Sequence, residues 1–161
     1  MHRSVQLRCL SARHHTLQRE QLLPGPPDEV FRFFSDASNL EAITPPWLRF
    51  RIVTRTPIRL GPGALIEYRL SLHRIPIRWL TRIEVWEPGR RFVDAQVRGP
   101  YALWHHTHTF EAHGDGTLMR DTVRYRLPLG LLGALAHLAF VRRDLERIFD
   151  FRADVLRRFT K

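Results

Sequence analysis

The chain has only one cysteine and lacks long apolar runs. Cys9 stands alone among 161 residues, which excludes an internal disulfide framework and a cysteine-based metal site, so we expect a reducing compartment. The longest apolar stretch, 129–141, contains His137 and is shorter than the roughly 20 residues that span a bilayer. Residues 1–23 are interrupted by arginines and have no apolar core, so they do not form a secretory signal. These absences predict a soluble, cytoplasmic protein.

Lysine is almost absent as well. Lys161 is the only lysine, so arginine supplies nearly all of the 26 basic residues behind the net charge of +10. The arginines are dispersed, and no basic block is longer than a pair such as Arg90-Arg91. A nucleic-acid site concentrates positive charge in one patch. We therefore expect a solvated basic surface with weak attraction to anionic surfaces, and no specific nucleic-acid partner.

Three common motifs of nucleotide binding and hydrolysis are missing. The sequence contains no Gly-x-Gly-x-x-Gly, no phosphate-binding P-loop and no Gly-x-Ser-x-Gly elbow. It therefore predicts neither a dinucleotide cofactor held by that fingerprint, nor a P-loop nucleotide hydrolase, nor a serine hydrolase of the elbow type.

Hydrophobic periodicity divides the chain into a short leader and one domain. Residues 1–15 are polar, basic and aperiodic, and we expect a flexible leader, whereas residues 16–161 are long enough to enclose a core. A first strand is predicted at Thr16–Leu23. Pro27 suits the first turn of a helix, where its missing N–H leaves no partner unsatisfied, and a second short helix is predicted at Ser38–Ile43.

The rest of the domain changes from period two to helical spacing. Short alternating runs separated by Gly and Pro predict an antiparallel meander. After Pro128, apolar residues recur at three- and four-residue spacing to the end of the chain, which predicts one long amphipathic helix. The candidate strands are Leu48–Thr56, Ala64–Leu72, Ile77–Trp86, Arg91–Arg98, Ala102–Ala112 and Thr117–Leu127.

The strand at residues 104–110 carries the most informative motif, WHHTHTF. Because side chains alternate along a strand, Trp104, His106, His108 and Phe110 share one face, and His105 lies on the other. Two imidazoles on a buried wall are costly unless partners satisfy them. This wall therefore either lines a polar pocket or holds a buried hydrogen-bonded network.

Five motifs follow one another along the predicted strands and the C-terminal helix: Trp79-x-Thr81-x-Ile83, Phe92-x-Asp94-x-Gln96-x-x-Gly99-Pro100-Tyr101, Trp104-x-His106-x-His108-x-Phe110, Asp121-x-Val123-x-Tyr125-x-Leu127-Pro128, and Phe140-Val141 with Ile148-Phe149. Through these motifs and the order of its elements, the chain resembles the START-like, or SRPBCC, superfamily, and in particular a bacterial group of ligand-binding SRPBCC proteins, some of them labelled cell-division inhibitors. The resemblance covers about 16–159. It implies an α+β helix-grip fold: a seven-stranded curved antiparallel sheet wrapped on a long C-terminal helix, with two short helices between strands 1 and 2. It implies no single function, because the fold hosts transfer proteins, cyclases and binding modules.

The hairpin turns predict which residues oppose each other across the sheet. A three-residue loop at 99–101 and a turn after residue 112 set two registers, and each brings one aspartate opposite one histidine. Opposed side chains have Cβ atoms about 4.5–5.5 Å apart, so two carboxylate–imidazole pairs are expected on one wall. The opposed residues are Asp94 with His106, Gln96 with Trp104, Asp121 with His108, and Tyr125 with Trp104.

A carboxylate beside an imidazole favours the charged ring and fixes its tautomer. This suits a general base, a group that orients a ligand, or a buried network that only fixes the strand register. His-x-His on one strand face could also ligate a metal, with Asp94 or Asp121 as a third ligand. The carboxylates serve equally well as hydrogen-bond partners, and the resemblance implies no metal. We therefore expect neither a metal nor a cofactor.

These observations predict a protein that binds a small hydrophobic or amphipathic molecule between the sheet and the C-terminal helix. One alternative is a cyclase- or dehydratase-type enzyme, in which a histidine removes a proton next to a carbonyl. The candidate catalytic residues are then His106, His108, Asp94 and Asp121. Another alternative is a regulatory interaction protein without a ligand. The candidate ligand-binding residues are Tyr68, Trp79, Thr81, Asp94, Gln96, Trp104, His106, His108, Phe110, Asp121 and Tyr125.

Overall fold

The computed structural model describes residues 14–55 and 57–159. Most of the predicted leader, residues 1–13, lies outside this part of the chain. His15, which we placed at the end of the leader, is instead the first residue of a strand and pairs with Tyr125.

Seven antiparallel strands form one sheet in the order β1-β7-β6-β5-β4-β3-β2. Short turns join consecutive strands from β3 to β7, and β1 adds to the free edge of β7, which confirms the predicted sheet. The strands are β1 (His15–Pro24), β2 (Arg51–Ile52), β3 (Leu65–Leu72), β4 (Ile75–Glu87), β5 (Arg91–Arg98), β6 (Leu103–His113) and β7 (Gly116–Arg126).

Helices occupy the β1–β2 connection and the C-terminal part of the chain. Helix α1 begins at Pro27, and Asp28 and Glu29 in its first turn favour the positive end of the helix dipole. The C-terminal segment is helical throughout, as predicted, but a five-residue π turn interrupts it. No helix in the described part of the chain is long and apolar enough to cross a membrane. The helical elements are α1 (Pro27–Phe34), α2 (Asn39–Ala42), a 3₁₀ turn (Pro46–Leu48), α3 (Leu131–Ala136), the π turn (His137–Val141) and α4 (Arg142–Phe159).

The strand predicted at Leu48–Thr56 is wrong over most of its length, because only Arg51–Ile52 pairs with β3. Leu48 ends the 3₁₀ turn that follows Pro45, and the next residue, Arg49, has a positive φ of 46° that turns the chain. Thr54 uses its side-chain oxygen to accept from the Glu67 amide, and its own amide bonds to the Glu67 carbonyl, so the regular ladder stops. Thr56 lies outside the described residues.

The concave face of the sheet is covered from two sides. Toward one end, α1 packs its buried phenylalanines against Phe92, Phe110 and Met119. Toward the other end, Leu145 and Phe149 of α4 pack against β1 and β7. Each buried aromatic or aliphatic side chain contributes about 1.5–3 kcal/mol to stability. The core is therefore split into two clusters, and the space between them lies under α4.

Candidate functional site

A cavity of about 200 Å³ lies between the sheet and α4. Strands β3 to β6 form its floor, α4 forms its roof, and the segment from α1 to β2 closes one side. Most lining side chains are aromatic or aliphatic, with a few polar groups among them. Seven of the predicted ligand-binding residues line it: Tyr68, Trp79, Thr81, Asp94, Trp104, His106 and His108.

The other four predicted residues do not line the cavity. Phe110 packs against Phe31 and Phe92 in the cluster under α1. The Tyr125 hydroxyl is hydrogen-bonded to His137. Asp121 lies behind the two histidines rather than at the cavity surface.

Gln96, the fourth of these residues, has a local structural partner. Its side-chain amide donates to the Tyr101 carbonyl over 2.7 Å and accepts from the Tyr101 amide over 3.2 Å. The predicted pairing of Gln96 with Trp104 is therefore wrong: the β5–β6 ladder ends one step earlier, at Ala95 and His105. Gln96 closes the loop instead of facing the strand.

The two predicted aspartate–histidine pairings are confirmed. Asp94 is opposite His106 across β5 and β6, and Asp121 is opposite His108 across β6 and β7. The side chains do not form two separate couples, however. The two rings lie side by side, with centroids 3.8 Å apart, so each carboxylate reaches both of them. We call these four residues the Asp–His quartet.

Asp121 contacts one nitrogen of each ring through the same oxygen. Its Oδ1 lies 3.1 Å from His106 Nε2, in a hydrogen bond, and 2.7 Å from His108 Nδ1, a close contact that is not a hydrogen bond. Asp94 faces the opposite nitrogens. Its Oδ2 lies 3.1 Å from His108 Nε2, in a hydrogen bond, and 3.6 Å from His106 Nδ1, beyond hydrogen-bond distance.

Burial and charge act against each other in the quartet. Burial works to raise the pKa of both aspartates, but the adjacent imidazoles outweigh it, so the pKa of Asp94 is lowered and that of Asp121 lies well below its usual range. Burial and repulsion from His108 lower the pKa of His106. Burial also opposes charge on His108, but Asp121 and Asp94 outweigh it and raise its pKa. The cluster thus favours two carboxylates with the positive charge on His108.

Arg152 of α4 also lines the cavity, and our sequence analysis missed it. Its guanidinium lies 5.8 and 5.9 Å from the ring centroids of Phe34 and Phe149. Within the described residues, its Nε is buried without a hydrogen-bond partner, and so is the indole nitrogen of Trp79. The helical spacing could have identified this residue, because Arg152 follows Leu145 and Phe149 at four- and three-residue intervals on the apolar side of the helix.

A second buried histidine cluster lies outside the cavity, and we had not predicted it. The His137 ring, on the π turn, stacks on His15 with centroids 3.5 Å apart and an interplanar angle of 11°. His137 Nε2 lies 2.9 Å from the Tyr125 hydroxyl. Burial, with smaller effects from His15 and Arg142, lowers the pKa of His137 to about 4. No carboxylate contacts either ring among the residues that the structure describes.

Only one group of side chains in the described part of the chain has the composition and spacing of a metal site. Asp94, His106 and His108 each offer one ligand atom, and these atoms all lie within 4.8 Å of one another. The residues are buried or nearly so, and all three line the cavity.

Solved structures with the same architecture come from several organisms. TTHA0849 from Thermus thermophilus is 19% identical, with a TM-score of 0.69 over 91% of this chain and 99% of that one. The Zhui aromatase/cyclase from Streptomyces sp. R1128 is 14% identical, with a TM-score of 0.66 over 91% and 96%. Ara h 8.0201 is 16% identical, with a TM-score of 0.62 over 91% and 97%. At these identities the likeness shows the fold alone.

Comparison of the sequence with family models identifies the family directly. The family described as polyketide cyclase / dehydrase and lipid transport matches residues 23–151, which is most of the chain. A search of curated proteins found no match. The matched segment runs from the end of β1 into α4 and contains the whole cavity floor and the Asp–His quartet. The chain therefore belongs to the polyketide cyclase / dehydrase and lipid transport family, within the SRPBCC superfamily.

Proposed function

We propose that this protein binds a small hydrophobic or amphipathic molecule in the cavity between the sheet and α4. The observation that carries the proposal is the cavity itself, about 200 Å³ of space in the middle of the domain with a mostly apolar lining. Concave apolar sites with a few convergent polar groups are typical of small-molecule binding. If the lining residues served only stability, their side chains would be expected to fill this space, because protein interiors are close-packed.

The polar groups at the cavity indicate the kind of atom that they would contact. The indole N–H of Trp79 and the Nε–H of Arg152 are donors that lack a partner within the described residues, and a buried unpaired donor costs about 1–3 kcal/mol. A ligand with a carbonyl or carboxylate oxygen would satisfy them. The hydroxyls of Tyr68 and Thr81 already bond to each other over 3.1 Å. The ligand is therefore expected to be amphipathic, with its acceptor end toward Arg152.

Native mass spectrometry of freshly purified protein tests this directly. A retained small molecule would appear as a mass increment that disappears under denaturing conditions, and its mass would identify the ligand class. As an independent probe, anilinonaphthalene sulfonate, an amphipathic anion, should bind and gain fluorescence. Failure of both measurements, with the protein folded, would remove the support for a ligand-binding cavity.

Filling the cavity provides a matched comparison of two variants on β4. Ile77 lines the cavity, whereas Ile75 is 65% exposed and lies outside its lining. Ile77→Trp should weaken binding of the probe about tenfold or more, because one ring fills much of the available space, and Ile75→Trp should leave binding unchanged. Equal effects of the two substitutions would place the probe elsewhere on the protein.

A cyclase- or dehydratase-type reaction is the second candidate function. It is favoured by His106, which lines the cavity and whose Nδ1 is the nitrogen without a carboxylate at hydrogen-bond distance. One solved neighbour bears the name aromatase/cyclase. In this reaction Nδ1 would take a proton from carbon next to a carbonyl, and Arg152 would hold the developing enolate oxygen.

Hydrogen exchange tests this step without knowledge of the product. If the protein retains a carbonyl compound, incubation in D₂O should exchange its acidic C–H, and His106→Gln should abolish the exchange. The same exchange rate in both proteins would exclude His106 as the base.

Localisation in the cytoplasm remains a prediction, which fractionation of cells that produce the protein would check.

A further inference from the structure

Both imidazole rings of the quartet lie between the same two carboxylates. Each turns one nitrogen toward Asp121 and the other toward Asp94. On the Asp121 side the N···O distances are 3.1 and 2.7 Å, and on the Asp94 side they are 3.6 and 3.1 Å. The arrangement differs from two independent ion pairs. Asp121 contacts both rings on the side away from the cavity, and Asp94 contacts both rings on the cavity side.

The hydrogens of neutral imidazoles cannot satisfy both sides at once. A neutral ring has one N–H, and if each ring donates it to Asp121, both opposite nitrogens present lone pairs. His106 Nδ1 and His108 Nε2 then converge on Asp94 Oδ2, which also presents lone pairs. Three electron-rich atoms at such short range repel one another unless a positive charge lies between them, and that charge is either the proton of a charged His108 or a metal cation that replaces it.

We propose that Asp94, His106 and His108 bind a divalent first-row transition-metal ion, and that Asp121 orients both histidines from behind. Ligand atoms about 2.0–2.2 Å from a tetrahedral ion are about 3.3–3.6 Å apart. The distances from Asp94 Oδ2 to the two nitrogens, 3.1 and 3.6 Å, bracket that range. All three ligand atoms lie within 4.8 Å of one another, so the site requires the two histidine nitrogens to be no farther apart than side-chain rotation can close.

The surroundings of the site match those of protein metal centres. Histidine ligands usually donate their second N–H to a carboxylate or carbonyl, which fixes their tautomer and orientation; Asp121 is hydrogen-bonded to His106 Nε2 and lies 2.7 Å from His108 Nδ1. The ring of His108 is also held by stacking on Phe92, with centroids 4.1 Å apart. A rigid pair of histidines loses little entropy when it binds an ion.

The metal would face the cavity. The three ligands line it, and Asp121 does not. Two histidines and one carboxylate leave coordination positions open, which is typical of ions that bind a substrate or solvent molecule. Two carboxylates also balance the charge of one divalent ion, so binding leaves the quartet neutral. The absence of thiolate ligands and the small number of oxygens favour Zn²⁺, Co²⁺ or Fe²⁺ over Cu⁺ or Ca²⁺.

Cobalt(II) titration of the full chain, after removal of metals with a chelator, tests the proposal. Co²⁺ alone should bind with one ion per chain and give visible d–d absorption, and Zn²⁺ should displace it. His105, on the outer face of the same strand and 3.6 Å from Glu84, supplies the matched control. His105→Ala should bind Co²⁺ like the wild type, whereas Asp94→Asn should lose about 100-fold or more in affinity.

Asp121→Asn distinguishes the orienting role from direct ligation. An outer-shell carboxylate typically contributes 10- to 100-fold in affinity, so this variant should bind more weakly but with the same absorption bands. If the variants unfold, X-ray absorption of the wild-type cobalt protein still decides the matter, because it should detect two imidazole ligands. The proposal is overturned by the absence of stoichiometric Co²⁺ binding, by spectra without imidazole ligation, or by wild-type affinity in Asp94→Asn.

The metal site and the ligand cavity can fail separately. Binding of anilinonaphthalene sulfonate to the chelator-treated protein reports on the cavity alone, and cobalt spectra report on the metal site alone. Normal probe binding without cobalt binding would leave the quartet as a proton-filled network and would reject only the metal.

Discussion

The two buried histidine clusters of this protein share one sheet and differ in their neighbours. In the Asp–His quartet, two carboxylates contact the rings, and the pKa of His108 is raised despite complete burial. Around His15 and His137 the described residues supply a phenol, a second ring and the nearby charge of Arg142, and burial above all lowers the pKa of His137 to about 4. Burial alone thus favours a neutral imidazole, and the two carboxylates reverse that preference at His108 but not at His106, where repulsion from His108 adds to burial. The comparison can be tested by removing the neighbours one at a time.

Removing the carboxylate behind the quartet should have the largest effect. Asp121→Ala deletes the carboxylate that contacts both rings and leaves their buried nitrogens without its negative charge, so we expect a loss of about 3–5 kcal/mol in the free energy of unfolding. Urea denaturation near neutral pH measures it. Glu111→Ala, which removes an exposed partner of Arg120 3.3 Å away, is the control and should cost less than about 1 kcal/mol. A loss below about 1 kcal/mol in Asp121→Ala would show that the quartet contributes little to stability.

Acid should destabilise the second cluster through His137. Its pKa is about 4 in the folded protein, against an ordinary value of 6.5, so the unfolded chain binds a proton between these values and the folded chain does not. Stability from this group is complete above about pH 6.5 and falls as the pH drops toward 4, by about 1–3 kcal/mol.

His137→Phe isolates this contribution, because phenylalanine keeps the ring but does not titrate. The difference in unfolding free energy between about pH 7 and about pH 4.5 should be smaller in the variant than in the wild type by about 1–3 kcal/mol. The Asp–His quartet is the same in the wild type and the variant, so its contribution to the pH dependence of the unfolding free energy cancels in the comparison. An identical pH dependence would mean that folding does not lower the pKa of His137.

Removing only the phenol should have a smaller effect. Tyr125→Phe deletes the hydroxyl that bonds to His137 Nε2 over 2.9 Å and preserves the buried ring. We expect a loss of about 1 kcal/mol in thermal or urea unfolding, the usual net contribution of a buried hydrogen bond. Cobalt affinity at the quartet should be unchanged. A weakened cobalt site would indicate that the two clusters are coupled through β7.

The smallest effect is expected for the imidazole on the outer face of β6. His105 lies 3.6 Å from Glu84, and both side chains are about one-third exposed. His105→Ala should change the unfolding free energy by less than about 0.5 kcal/mol, because partly exposed ion pairs contribute little. A cost comparable to that of Asp121→Ala would contradict the distinction between the two faces of the strand.

The sequence predicted the sheet and the aspartate–histidine pairings well, because strand period and short turns determine both. The turns before β6 and β7 hold the registers that place Asp94 opposite His106 and Asp121 opposite His108. The strand register predicts which residues lie opposite each other on neighbouring strands. It does not predict contacts between successive side chains on the same face of one strand. The two rings lie 3.8 Å apart on one face, so each aspartate also reaches the diagonal histidine.

Other features depend on irregular structure that periodicity does not encode. The strand after Pro46 is short because Arg49 adopts a positive φ. The His137 cluster requires both the π turn and the pairing of β1 with β7, two elements far apart in the chain. Arg152 was overlooked because a charged residue interrupts the apolar pattern of a helix stripe, and the cavity volume depends on packing that only coordinates give.

The number of residues in the π turn determines which side chains of the preceding helix face inward. It holds one residue more than an α-helical turn would, so α3 is rotated by about 100° relative to the phase of α4. His137 and Val141 consequently point inward, while Leu132 and Leu135 on the preceding turns are 66% and 63% exposed. Deletion of one residue in this turn would remove the offset and rotate α3 by about 100° relative to α4, so a different set of α3 side chains would face inward. The number of residues, as much as their identity, keeps the histidine inside and the leucines outside.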